Sequence, residues 1–429
     1  MVAASPQRRT TDSPADGRRA FWHYWAASAT SEVGSGISAV ALPLLAISAL
    51  HASNFEVGLL TAANYAAIIL VGLPAGVIVQ RLDLRRVQIT TDLARALALV
   101  TIPVAVWFDA LTLTHLLSVA FVIGLATNFF VVANSTFLPE VVPREELTRR
   151  NGLISGTSAA SQLGGPALGG VLVQTVGAAY AIVIDAVSYL ASAVLLGRIP
   201  VRPRTVEPSS GQQSFGGQIK AGLAFVWRHP VMRPSLLGAT AANFANGALL
   251  AVTPIFLIHT LDLPAGAVGV VLAADGVGAL LAAAYVARLV DRLGDARTLL
   301  IAPTVGAVLA LAMLISDDEK WGVVPFVVGM LGLAAGVTML SVVTRTHRQM
   351  FSPRHLLSRV MASVRFISWG AIPIGALVAG AVSELWSPRA GLVVVCVAAA
   401  GMPLAVWASR IRTLTTLEEG EPGPRDPAE

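Results

Sequence analysis

Cysteine is almost missing from this chain: Cys396 is its single example in 429 residues. A lone thiol excludes a disulfide framework and a cysteine-based metal site. Charge is scarce too, with Asp, Glu, Lys and Arg at 13% against about 25% in ordinary soluble domains. The phosphate-cradling pattern Gly-x-x-x-x-Gly-Lys-Ser/Thr is absent, since neither Lys220 nor Lys320 has that context. There is no His-Glu-x-x-His run, no Cys/His cluster, and no gap between apolar runs long enough for a catalytic domain. These absences predict a chain that is not an enzyme and holds no cofactor or metal.

Apolar sequence is what the chain has in excess, at 55% hydrophobic residues and a mean hydropathy of +0.70. It falls into twelve segments, roughly 22–48, 56–79, 87–107, 113–133, 151–173, 178–196, 233–257, 266–288, 298–315, 322–343, 360–383 and 389–408. At ~1.5 Å per residue, each is long enough to cross a ~30 Å hydrocarbon core. Backbone polar groups in lipid must be satisfied within the segment, so such spans are helices. The basic residues alternate. Of the 30 Lys and Arg, all but Lys320 and Arg389 lie in the tails, the even-to-odd gaps or the helix ends flanking them. Positive charge resists translocation, which predicts a multi-pass protein of the cytoplasmic membrane with both termini in the cytoplasm.

The same topology accounts for the net charge of +5 without a nucleic-acid partner, and the bilayer itself becomes the large partner. Arg8, Arg9, Arg18 and Arg19 mimic the start of a signal peptide. The apolar stretch after them is longer than a signal core and eleven more follow, so a retained first helix is expected. The tails, 1–21 and 410–429, are expected to be cytoplasmic and disordered, being polar and proline-rich.

The chain also repeats itself. At one register Gly36 meets Gly247, Pro43 meets Pro254, Arg81 meets Arg292 and Arg86 meets Arg297. One residue out of that register, Pro143 meets Pro353, Arg149 meets Arg359, Gly165 meets Gly375 and Gly170 meets Gly380. Six plus six helices in the same orientation predict two parallel halves, 22–197 and 233–409, joined by a cytoplasmic linker over 198–232. Parallel halves around a central site imply rocking between states open to opposite sides.

The gap after the second segment runs from Gly76 through Gln80, Arg81, Asp83 and Arg85 to Arg86. The gap after the eighth runs through Asp291, Arg292, Gly294 and Asp295 to Arg297. Both resemble the major facilitator superfamily signature G-x-L-a-D-R-x-G-R-R, once per half. That resemblance implies an inner gate of Arg81, Asp83, Arg85, Arg86, Asp291, Arg292 and Arg297. Gln80 stands where the family has Asp, which leaves Asp83 or Asp92 to take the acidic role. Asp92 and Arg95 are three apart, share a helix face and would brace this gate. Plain positive-inside topology is the competing account of the arginines.

In the fifth segment Gly164-Gly165-Pro166-Ala-Leu-Gly169-Gly170 resembles the antiporter motif of the superfamily's drug exporters. Glycine allows close helix approach and proline permits a bend. The second half keeps Gly375 and Gly380 but has Ala376 and Ala379 in place of Pro166 and Gly169. Close packing alone would also use these glycines. Three further stretches, around Thr91–Arg95, Phe137–Leu147 and Asp185–Leu190, resemble the branch containing macrolide-efflux and enterobactin-exporter proteins. That branch implies proton-coupled export of amphipathic drugs or of a secreted metabolite or siderophore.

Ionisable groups at bilayer depth are costly and mark function. Glu32, about ten residues into its segment, and Asp275, at similar depth in the eighth, are the leading candidates for proton coupling or substrate contact. Asp185 is the third. Each could instead be a structural hydrogen-bonding group. Asn64, Asn128, Gln162, Asn243 and Asn246 are candidate polar groups of a central cavity, or simply glue between helices. The sequence therefore predicts an all-α membrane protein, with twelve transmembrane helices in two six-helix halves of the major facilitator fold. It would act as a monomer on a small molecule, with the proton as coupling ion. An importer of the same fold, or a non-transporting membrane sensor or scaffold, is the alternative.

Overall fold

A chain that must satisfy its own backbone in lipid has one economical solution for apolar runs of this length, and the molecule is built almost wholly of it. The structure, a computed structural model, describes residues 14–52, 54–200, 214–263, 265–317, 319 and 321–420. Six long helices come first: α1 (Pro14–Leu50), α2 (Asn54–Gln80), α3 (Leu84–Trp107), α4 (Leu113–Val141), α5 (Leu147–Val176) and α6 (Ala178–Gly197). A shorter α7 (Phe215–Arg228) follows. Then come α8 (Met232–His259), α9 (Ala265–Leu293), α10 (Asp295–Ala310, extended by a 3-10 turn to Ile315), α11 (Val323–Phe351), α12 (Leu357–Leu385) and α13 (Pro388–Trp407).

Ten of these helices are long and apolar enough to cross a membrane. Two more, α2 and α5, have the length as well. α2 is apolar along its length, with Glu56 its single charged residue. In α5 the run from Asn151 to Gly170 is diluted by Ser, Thr, Gln and Gly. That helix packs on α1 and α6 and across to α9 and α11, so much of its surface faces protein. Side chains such as Leu97, Leu250, Leu377 and Val397 are more than half exposed, the expected outer surface of a bundle whose solvent is lipid.

The repeat seen in sequence has a counterpart in packing. In the first half α1 packs on α5 and α6, α2 on α4, and α3 on α4 and α6. In the second α8 packs on α12 and α13, α9 on α11, and α10 on α11 and α13. Helix for helix these are the same partners. Contacts between the halves obey the same exchange, α2 with α12 and α5 with α9, while α4 meets α11.

Of the matched glycines, Gly36, Gly165, Gly247 and Gly375 sit where helices cross. A Cβ on Gly36 would lie 2.8 Å from the Gly165 Cα, and the reverse is equally tight. In the second half Gly247 abuts the Ile372 backbone and Gly375 abuts that of Phe244. Gly169 faces Ile37 at the same α1–α5 crossing, whereas Gly170 and Gly380 both face open space.

Three features depart from expectation. Residues 14–21 continue α1 outward, with Phe21 buried in the first-half core. Residues 410–420 form two 3-10 turns that bury Ile411 and Leu417 in the second-half core. These parts of the tails are ordered because each places apolar side chains against a bundle end; residues 1–13 and 421–429 lie outside the described residues. The linker likewise contains a helix, α7, started by the Ser214 hydroxyl accepting from the Gly217 amide.

Because backbone meets backbone at Gly165, no side-chain shift can relieve an added methyl there. Gly165→Ala should destabilise the protein by about 1–3 kcal/mol, seen as a lower melting temperature in detergent. Gly170→Ala should be neutral or slightly stabilising, since alanine is the better helix former by up to about 1 kcal/mol.

Candidate functional site

A cavity of about 320 Å³ lies between α5, α8, α9 and α11, so both halves line it. Its walls are mostly apolar, with Leu163, Leu249, Leu272, Leu333 and Val337 among them. Four polar side chains are set into this surface: Gln162, Asn246, Asp275 and Thr338. Asp275, Gln162 and Asn246 are exposed to the cavity space, and none of the lining residues is a cation. A volume near the lower end of the range for small-molecule pockets, apolar walls and a few convergent polar groups make it the candidate ligand site.

Two other amides singled out in sequence turn away from it. Asn243 donates to the Ala239 carbonyl at 2.9 Å and Asn128 to the Gly124 carbonyl at 3.1 Å, each within its own helix. Asn64 has its side chain outside the described residues.

Glu32 stands on α1, beside the cavity's α5 wall. Ser158 of α5 hydrogen-bonds its carboxylate, and the Gln162 amide reaches the same Ser158 hydroxyl at 3.5 Å. One turn of α5 thereby links Glu32 to the cavity. The second carboxylate oxygen of Glu32 is buried with no protein partner. Arg345 of α11 faces Glu32 and Tyr24 electrostatically from the other half, without a direct ion pair. Nearby, the Tyr24 hydroxyl donates to the Asn134 side-chain oxygen, and the Asn134 amide donates to Ser28 at 2.9 Å. Arg348, one turn on from Arg345, is buried with Nε and Nη1 unpartnered. Sequence reasoning missed these two arginines by reading them as basic helix-end residues. It missed Ser158 because one serine in a Ser/Gly-rich helix carries no distinguishing signal.

Asp185 belongs to a different centre, enclosed in the first half. It accepts from Ser38 at 2.5 Å and Ser188 at 3.1 Å. Asp92 and Arg95 form a buried ion pair alongside. The Arg95 guanidinium lies over the Phe130 ring at 4.5 Å and the Tyr189 ring at 4.2 Å, and the Tyr189 hydroxyl meets Ser35 at 2.8 Å. Each charge has partners within the half, which suits a structural brace among α1, α3, α4 and α6.

At the basic end, Asp83 caps α3 by accepting from the Arg86 amide at 3.0 Å, and its exposed ion pair with Arg86 is 4.0 Å long. Arg85 donates to the Ile199 carbonyl at the end of α6. Arg81, Asp291, Arg292 and Arg297 are exposed. What joins the halves there is a set of amides. Gln80 donates to the His355 carbonyl. Asn151 donates to Thr346 at 3.0 Å and to Gln349 at 2.6 Å, and Gln349 donates to the Ser135 carbonyl at 2.8 Å. Gly76 of α2 lies against Ala362 and the Ser358–Arg359 backbone, and Gly152 of α5 against Ala283 and Val286 of α9. The basic end is closed.

The family described as transmembrane secretion effector, within the major facilitator superfamily, matches residues 13–427. The chain is a major facilitator superfamily transporter. Among curated relatives, the multidrug efflux pump Tap of Mycolicibacterium fortuitum is 26% identical over 83% of this chain and 88% of its own. Tap of Mycobacterium tuberculosis is 25% identical over 83% and 85%. These place the transporter in the drug-efflux branch. The fold is that of FucP in its outward conformation, with a TM-score of 0.73 at 16% identity over 90% of this chain and 98% of that one. A bacterial homologue of ferroportin in its outward-facing state gives the same TM-score, again at 16% identity, over 91% and 99%. Among the described residues of the transporter, no group of three or more His, Cys, Asp or Glu is arranged to hold a metal ion.

Asn151 is buried, and its loss would strand the Gln349 oxygen. Asn151→Ala should weaken basic-end closure by about 1–3 kcal/mol. Paired spin labels on the basic ends of α5 and α11 should then report a longer-distance population that the unsubstituted transporter lacks; an unchanged distance distribution would refute the assignment.

Proposed function

We propose that the transporter exports amphipathic small molecules across the cytoplasmic membrane by proton-coupled alternating access. The observation that carries this is a pair of carboxylates at one site: Asp275 in the cavity, and Glu32, joined through Ser158 to the cavity-lining Gln162. The basic end faces the cytoplasm, with both termini on that side, as the distribution of Lys and Arg supports. The closed basic end then corresponds to the outward-facing state. The halves, 22–197 and 233–409, rock about a cavity complete in one chain, which supports action as a monomer.

Separation at the basic end would draw Arg345, on α11, away from Glu32, on α1. The charge facing Glu32 thus differs between states, so its proton occupancy and the direction of opening are thermodynamically linked. Substrate occupies the cavity. Apolar walls select a greasy body, and the carboxylate of Asp275, with no cation in the lining, favours a positively charged group over the anionic groups of a siderophore. The exposed arginines of the two signature loops act at the cytoplasmic surface, while the amides of Asn151, Gln349 and Gln80 hold the seam.

In everted vesicles carrying a proton gradient, a lipophilic cation should discharge a pH-sensitive dye signal only when the transporter is present. Glu32→Gln should abolish this uphill export and leave substrate binding; unimpaired export against a gradient would remove Glu32 from the coupling step. Asp275→Asn should weaken binding of the cation by roughly 10–100-fold, the equivalent of a charge-assisted bond of about 1.5–3 kcal/mol. A neutral analogue of the same shape should bind both forms alike, and equal losses for the two ligands would assign Asp275 a structural role.

A further inference from the structure

The linker helix α7 is two-sided. Gln218, Gly222 and Val226 form its buried face, seated on α12, where the Arg359 guanidinium donates to Gln218 at 3.1 Å and Gly222 abuts the Arg359 Cβ. It also touches α2 and α8, so it lies over the α2–α12 seam at the basic end. Among the described residues the opposite face is largely exposed, with Leu223 half-buried. At helical spacing it presents Gly216, Lys220, Leu223 and Trp227, with Arg228 at its margin. Trp227 and Phe215 are nearly half exposed. Arg233 stacks over the Trp227 ring at 5.1 Å, although it occupies the first turn of α8, the positive end of that helix's dipole, where a cation is disfavoured. No Asp or Glu occurs anywhere between Ser214 and Arg233. The face is therefore a short apolar strip with an aromatic anchor, flanked by three cations without acidic neighbours in their own segment.

We infer that α7 is a membrane-surface helix whose outer face takes the headgroups of acidic phospholipids through Lys220, Arg228 and Arg233, with Trp227 and Leu223 set into the interfacial layer. Charge complementarity commits the surface to that occupant: basic residues beside a bilayer are drawn to anionic lipid, and an aromatic–aliphatic strip of this width suits the headgroup boundary. Because the inner face of α7 bridges α2 and α12, lipid bound outside presses the linker onto the seam that the transport cycle must open.

The near absence of cysteine makes the test direct. In a Cys396→Ser background, a nitroxide at Leu223→Cys is read for accessibility to oxygen and to a water-soluble relaxer, in zwitterionic vesicles and in vesicles containing phosphatidylglycerol. The label should move deeper when acidic lipid is present, and Lys220→Gln/Arg228→Gln/Arg233→Gln together should erase that shift. If the triple variant fails to insert, salt decides with the native cations in place: near 0.5 M, where screening shortens to roughly 4 Å, the shift should be lost. Equal depth in both lipids, a shift that survives the triple substitution, or a shift indifferent to salt would overturn the inference.

Discussion

Hydrocarbon offers no hydrogen bonds, so every polar group carried into the membrane must find its partner within the protein or in a water-filled space. That constraint explains where the polar side chains have gathered. Asp92, Arg95 and Asp185 form a network inside the first half, with serines and aromatic rings beside them. Asn151, Gln349 and Gln80 pair across the seam at the basic end. Asp275, Gln162 and Asn246 open into the cavity. Groups that remain incompletely satisfied occur near the seam, as one oxygen of Glu32 and two nitrogens of Arg348 do, and also inside the first half, as one oxygen of Asp92 and Nε of Arg95 do.

The seam combines two kinds of contact with different consequences. Glycine contacts such as Gly76 on α12 and Gly152 on α9 bring helices close but involve few polar groups. They can slide or part at the modest cost of lost dispersion. The amide bonds of Asn151 and Gln349 are directional and leave unsatisfied groups when broken. Together they give a closed state that is well defined yet separable by a few kcal/mol, the scale on which a ligand or proton can shift a two-state balance. Within each half, by contrast, the Gly36–Gly165 and Gly247–Gly375 crossings put backbone on backbone and favour movement of each half as a unit.

The resemblance of the two loops to the superfamily signature implied a gate of arginines, with positive-inside topology as the competing account of the same residues. In the folded chain most of them point to solvent, and Asp83 is occupied as a helix cap. The seam is made by neutral amides, which carry little sequence signal because Asn and Gln occur throughout the spans. Arg345 and Arg348 were legible as basic residues but not as facing the first half, since that depends on how far α11 extends and which side of it meets α4 and α5. Gln162, Asn246 and Asp275 were legible as polar residues at depth; that they share a cavity from which Asn243 turns away depends on rotation of α8 about its axis.

Properties that repeat along the chain were determined by the sequence itself. Hydropathy set the spans, the alternation of Lys and Arg set which ends lie together, and matched Gly, Pro and Arg set the two-fold repeat. These follow from local physics: the partition of each segment into lipid and the resistance of positive charge to translocation. Only the tertiary structure decided which polar groups are partners and which are exposed to a ligand. Ser158 links Glu32 on α1 to Gln162 on α5, and Asn151 meets Gln349 from the other half of the chain. Such pairings depend on helix rotation and relative depth to within one turn, and these are fixed by packing at the glycine crossings and not by the composition of any single helix.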